Sequence, residues 1–355
     1  MRLAAARATV VVVLGVVLAI PLLLWLLGFA PAPALHALWT GSFGSFYALT
    51  SGTLVRATPL VLTGLAVGVA FRAGVFNIGA EGQFLAGATC AAAVGLAAGA
   101  SLGVGALMLE LVAGALAGAT WAGVAAVLRL RFRVLEVIST ILLNFIALYL
   151  VSYLVRGPLQ ERLHIYPQSE MLLAVARLPR LIPGTRLHAG FLLALTSAVS
   201  VWWFMRYTAA GFRLRVAGAN PEAARSAGEI DVGRTTAQAF LLSGGLAGLA
   251  GAIEVSGVTF ALYENISPGY GYTGIAVALL ARLHPLAVIV SGVVFGALES
   301  GASAMQRDAG VPSVVVSIAE AAIILGLVVL RRAPIAGTNE PAIATEVDRT
   351  AGDEV

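Results

Sequence analysis

The sequence predicts an all-α polytopic membrane protein with about ten transmembrane helices. Hydrophobic residues make up 59% of its 355 residues and charged residues only 11%, against about 25% charged in soluble domains. The charges gather in clusters between long apolar stretches, and a helix needs about 20 such residues to cross hydrocarbon.

Arg2 and Arg7 precede an apolar run from Ala8 to about Phe29. It is too long for a signal-peptide core, and prolines crowd the small-residue site near Ala30, so residues 1–30 read as an uncleaved first span. Residues 31–56 carry Trp39, Phe43, Phe46 and Tyr47 and read as an extracytoplasmic or interfacial segment. The permeability unit proper is expected over 57–330. Its spans fall at about 57–71, 82–100, 103–128, 136–155, 188–205, 236–256, 271–282, 286–304 and 312–330. A charged, proline-bearing loop covers 156–187, and residues 331–355 read as a disordered cytoplasmic tail.

Ten spans return both termini to one side. That side then holds fifteen arginines, including Arg72, Arg129, Arg131, Arg133 and those of the 206–234 loop, and the other side holds seven. The asymmetry makes the first side cytoplasmic. Ten spans also divide into five plus five, and an odd number per half implies an inverted repeat. The many small-xxx-small glycines, such as Gly244, Gly248 and Gly251, favour close helix contacts.

All 22 basic residues are arginine, so a P-loop lysine and a lysine Schiff base are both excluded. Cys90 is the single cysteine, and His36, His164, His188 and His284 show no ligand spacing. No catalytic residue, metal or cofactor is expected.

Two stretches carry the functional signal. The first is the loop at 206–234, with eight charged residues between apolar runs. Within it Asn220 is a favoured N-cap, Pro221 suits the first helical position and Glu222 suits the dipole. Ala223 and Ala224 continue the helix, Arg225 follows, and Gly228 suits its end. A short helix held at the membrane surface is either a solvated connector or the place where a partner protein pushes. The second stretch is FRAGVFNIGAEGQ at 71–83. Asn77, Glu81 and Gln83, set among glycines at a span junction, suit a broken helix or re-entrant turn. They either line a route for a polar solute or, through an Arg72–Glu81 pair, hold the turn. Asn144, Glu254, Glu299 and Glu320 are further pathway candidates. The Tyr263–Tyr272 stretch reads as an outer gate, a docking rim or an aromatic belt.

FRAGVFNIGAEGQ, ISTILLNFIALYL at 138–150, AGANPEAARSAGE at 217–229 and GYGYTGIAVALLARLHP at 269–285 together resemble the permease subunits of bacterial ABC importers, branched-chain-type family, simple-sugar and nucleoside branch. The resemblance covers most of 54–330. It implies a transmembrane subunit in the inner membrane that pairs with a second permease subunit. It also implies an extracytoplasmic solute-binding protein that delivers solute and a cytoplasmic ABC ATPase that drives transport. On that resemblance Gly218, Asn220–Arg225 and Gly228 belong to the coupling helix. The rival reading is a proton-coupled secondary transporter using Glu81 or Glu320 as relay.

Overall fold

The computed structural model describes residues 21–226 and 230–312, together with 314, 315, 318 and 321. Most of the first expected span, the 312–330 span, Gly228, Glu320 and the 331–355 tail lie outside those residues.

Helix follows helix, and no named strand occurs among the described residues. We number them α1 (Pro31–Ser42), α2 (Leu54–Arg72), α3 (Ala80–Leu102), α4 (Val104–Phe132) and α5 (Glu136–Val155). Then come α6 (Gly190–Tyr207), α7 (Ala209–Ala219), α8 (Pro221–Ser226), α9 (Val232–Glu254), α10 (Tyr270–Leu280) and α11 (Pro285–Ala309). Six runs among the described residues are long and apolar enough to cross a membrane: Ala48–Arg72, Ala80–Gly99, Val104–Phe132, Glu136–Val155, Val232–Thr259 and Pro285–Ala309.

Residues 31–56 are more helical than the sequence led us to expect. Pro31 opens α1, and a π-helical turn over Ala48–Thr53 runs directly into α2. Its polar side chains bond to backbone: Thr50 Oγ1 donates within its own helix to Phe46 O at 2.7 Å, and Thr53 Oγ1 crosses to Ser42 O, at the end of α1, at 2.8 Å. Both hydroxyls are thereby satisfied by backbone carbonyls, so the polar composition of this turn hides a helix that the fold can bury.

The expected span at 271–282 is corrected. α10 has 11 residues, about 16 Å at ~1.5 Å per residue, against roughly 30 Å of hydrocarbon. It is a half-helix.

Apolar faces alone do not select partners in lipid, and the close contacts here are made by glycines. A Cβ on Gly87 of α3 would lie 2.2 Å from Gly248 O of α9, and one on Gly118 of α4 would lie 2.3 Å from Gly244 O. Three backbones therefore touch, and α3, α4 and α9 form one block. α2 joins it through Leu60, Leu62 and Leu65, all 1% exposed or less. The 156–188 loop covers the segment that follows α9: Ser169 N donates to Leu262 O and Leu172 N to Phe260 O, both at 2.7 Å, and Leu178 N to Ser256 O at 2.9 Å.

Candidate functional site

The polar junction after α2 folds into a buried knot halfway along its neighbours. Residues 73–79 leave α2 through Gly74, at φ +70°, and run non-helically to the start of α3. Asn77 Nδ2 donates to Gln83 Oε1 at 3.0 Å and to Ser243 Oγ, midway along α9, at 2.9 Å. Asn77 Oδ1 accepts from Gly79 N at 2.9 Å and Gln83 Nε2 at 3.0 Å. Asn144, midway along α5, accepts Gly82 N–H at 2.8 Å and donates to Ile78 O at 3.0 Å. Asn77, Gln83 and Asn144 are each 2% exposed or less, and Glu81 is 7% exposed. These four candidates are thus brought together, and their hydrogen bonds run mainly to one another and to backbone.

The Arg72–Glu81 pair, one of the two alternatives for this stretch, does not form. The 73–79 segment carries Glu81 away from the end of α2, and its carboxylate accepts Gly271 N–H at 2.7 Å and the Ser267 hydroxyl. Arg72 instead lies beside Arg215 of α7. A second broken junction therefore meets the first. A Cβ on Gly271 would stand 2.2 Å from Glu81 N, so the first turns of α3 and α10 are in direct backbone contact. Thr63, midway along α2, donates its hydroxyl to Tyr270 O at 3.0 Å.

The segment leading to α10 is pinned at its outer end by Glu264, which takes Arg156 Nε at 2.7 Å, Arg156 Nη2 at 2.9 Å and the Ser152 hydroxyl. The Arg156 hydrogen bonds, then that of Ser152, push the Glu264 carboxyl down to about 2. A depressed value in the folded state means that stabilisation is present above the unfolded carboxyl value of about 4.3 and is lost as pH falls towards 2. The melting temperature should therefore fall more steeply between pH 4 and pH 2 in the wild type than in Glu264→Gln. Parallel curves would show that the pair contributes nothing.

On the charged side, Thr208 caps α7 by accepting Gly211 N at 3.0 Å, and Asp231 caps α9 by accepting Arg234 N at 3.0 Å. Between them Asn220 Oδ1 accepts Glu222 N at 3.1 Å and Ala223 N at 3.0 Å, so α8 starts where the Asn-Pro-Glu pattern predicts. Pro221, Glu222, Ala223 and Arg225 are exposed and Ala224 is buried. Gly218, the penultimate residue of α7, presses on the end of α2: a Cβ there would lie 2.1 Å from Arg72 O and 2.8 Å from Gly74 N. A cleft of about 240 Å³ lies between α7 and the start of α9, lined by Arg213, Asp231, Arg234, Thr235 and Gln238.

Sequence reasoning missed Ser243, Gly271 and the contact of Gly218 with Gly74. Ser243 is the lone hydroxyl in an apolar run, which is a weak signal. The glycine contacts join residues far apart in the chain and leave no local signature. Glu254 is buried at the end of α9 and interacts electrostatically with Arg186 and Arg56, and Glu299 lies on α11.

Membrane-length helices, two interrupted ones meeting midway along their neighbours and a capped helix at one end define a polytopic membrane protein. The chain belongs to the family described as branched-chain amino acid transport system / permease component, whose model matches residues 49–331. It is 38% identical over 310 residues to the glucose ABC transporter permease protein TsgB13 of Haloferax volcanii, covering 84% of this chain and 80% of that one. It is 38% identical over 302 residues to the guanosine ABC transporter permease protein NupP of Bacillus subtilis, covering 84% and 86%. It is also 29% identical over 311 residues to the nucleoside ABC transporter permease protein NupB of Lactococcus lactis, covering 85% of each. No solved structure matches the chain. Membership of this family implies a cytoplasmic ATPase and a solute-binding protein as partners.

Proposed function

We propose that this permease moves nucleosides or simple sugars inward, pairing with a second permease subunit and driven by a separate cytoplasmic ATPase. The solute class is supported by the names of the relatives, whose glucose, guanosine and nucleoside cargoes are uncharged polar rings. The observation that carries the mechanism is the backbone contact of Gly218 with Arg72–Gly74. The exposed helix α8 is the handle, and Asn220 fixes its start. α7 carries its displacement through Gly218 to the 73–79 segment. The Asn77–Gln83–Ser243 bonds and the Glu81–Gly271 bond then pass it to α9 and α10. The exposed Asn220, Pro221, Glu222, Ala223 and Arg225 form the ATPase-coupling surface, Gly218 and the buried Ala224 seat it, and Gly228, outside the described residues, is assigned to the same element. Asn77, Glu81, Gln83 and Asn144 shape the translocation pathway from behind, and Asn144 alone of the four reaches an exposed side chain, the hydroxyl of Tyr272.

This reading sets α8 and both termini in the cytoplasm, in accord with the arginine asymmetry. It also keeps about ten membrane segments in a five-plus-five inverted repeat, with residues 1–30 as the first and the half-helix α10 as the eighth. Support comes from the position of the two broken junctions: one falls between the second and third expected spans, the other between the seventh and eighth, and they meet at Glu81 and Gly271. Midplane sites between discontinuous helices are a recurring product of such repeats.

The test is the charge reversal Glu222→Arg with Arg225→Glu, read in membranes containing the ATPase and binding protein. Solute uptake and permease-stimulated ATP hydrolysis should both fall at least about ten-fold, a coupling loss of ~1.4 kcal/mol or more. Both activities surviving unchanged would remove α8 from the coupling role.

A further inference from the structure

Residues 263–272 descend along α5 from its last turn to its middle. Glu264 is bonded to Ser152 and Arg156, while Asn144 Nδ2 donates to the Tyr272 hydroxyl at 3.3 Å. Ser152 and Asn144 are eight residues apart, a drop of about 12 Å at ~1.5 Å per residue. Over that drop the backbone is non-helical through Gly269, at φ +105°. Irregular backbone at such depth is tolerated only where protein covers it or water lines it. One side is covered, since Ile266 and Tyr270 are buried and Ser267 reaches Glu81. The other side is bare in this chain: Asn265 and Pro268 are exposed, and Tyr272 is 44% exposed.

We infer that Asn265, Pro268 and Tyr272 line a water-filled groove, closed by the second permease subunit, that takes an uncharged, ring-bearing polar solute. The inference rests on the transport reading above and adds the surface that meets the solute. The bare strip carries no charged side chain. The Glu264 carboxylate beside it is held by Arg156. Nor is the N-terminus of α10 open to an anion. Ser267 Oγ accepts Gly269 N and Tyr270 N at 3.1 and 3.0 Å, Glu81 takes Gly271 N, and Gly269 O takes Tyr272 N and Thr273 N at 3.0 Å each. What the strip offers a solute is an aromatic face with one hydroxyl, an amide and a proline ring, groups suited to stacking against a flat ring and bonding its hydroxyls.

The experiment uses the full chain in membranes with its partners, with Cys90→Ser as background. Asn265→Cys and Tyr272→Cys are labelled with a charged, membrane-impermeant maleimide, and Leu116→Cys, on the exposed face of α4, reports the lipid-facing rate. Asn265→Cys and Tyr272→Cys should react at least ten-fold faster than Leu116→Cys, and guanosine or glucose should slow the reaction at Tyr272→Cys while guanosine monophosphate does not. Rates no faster than Leu116→Cys overturn the inference, as does fast labelling that neither guanosine nor glucose slows. Labelling requires no ATP hydrolysis, so its failure leaves the Glu222 and Arg225 test of the importer reading standing.

Discussion

Gly218→Ala is expected to lower solute uptake at least ten-fold while the permease still accumulates in the membrane. A Cβ at this position would lie 2.1 Å from Arg72 O and 2.7 Å from Ala73 C. Both are backbone atoms, so no side chain can swing aside, and α7 must back away from the end of α2. Overpacking of this kind typically costs about 1–3 kcal/mol, too little to unfold a bundle whose α3, α4 and α9 backbones meet elsewhere. It is enough to open the joint between α8 and the 73–79 segment. ATP hydrolysis by the assembled complex should then persist at its basal rate and lose stimulation by solute. Gly245→Ala is the matched control, since the nearest atom to a Cβ there is Ala115 O at 3.7 Å, an ordinary contact. Wild-type uptake in Gly218→Ala would mean that the joint transmits nothing.

What the sequence made legible was local. Asn220, Pro221 and Glu222 specify a helix start through their own side chains and backbone, and the helix begins there. Apolar length located the long helices for the same reason, because each run carries its own hydrophobic signal. α10 was misjudged because apolarity measures composition, not how far a helix reaches before the chain turns. The alternative pairing of Glu81 with Arg72 rested on their nearness in sequence, and only the path of residues 73–79 carries Glu81 to Gly271 instead. Ser243 went unnoticed because a hydroxyl in a transmembrane helix usually bonds its own backbone, whereas this one receives an amide from another segment. The contact of Gly218 with Gly74 joins two glycines with no chemistry of their own, so nothing short of the folded chain could have paired them.

Asn77 and Gln83 are joined by two hydrogen bonds into one unit, and a double-mutant cycle should reveal it. Asn77→Leu strips partners from Gly79 N, from Ser243 Oγ and from both ends of the Gln83 amide. Gln83→Leu strips one bond from each end of the Asn77 amide. A buried polar group left without a partner costs about 1–3 kcal/mol; Asn77→Leu strands the Gln83 amide, whereas Gln83→Leu leaves Asn77 its bonds with Ser243 and Gly79. The double substitution Asn77→Leu with Gln83→Leu removes both amides together, leaving neither to be stranded by the loss of the other. Its loss of thermal stability should therefore be smaller than the sum of the singles, by a coupling energy of roughly 1–3 kcal/mol. Uptake should follow the same order, with Asn77→Leu at least ten-fold below wild type because the 73–79 segment is no longer tied to α9. Strictly additive losses would mean that the two amides serve separate purposes, and the knot could not then relay motion from Gly218 to α9.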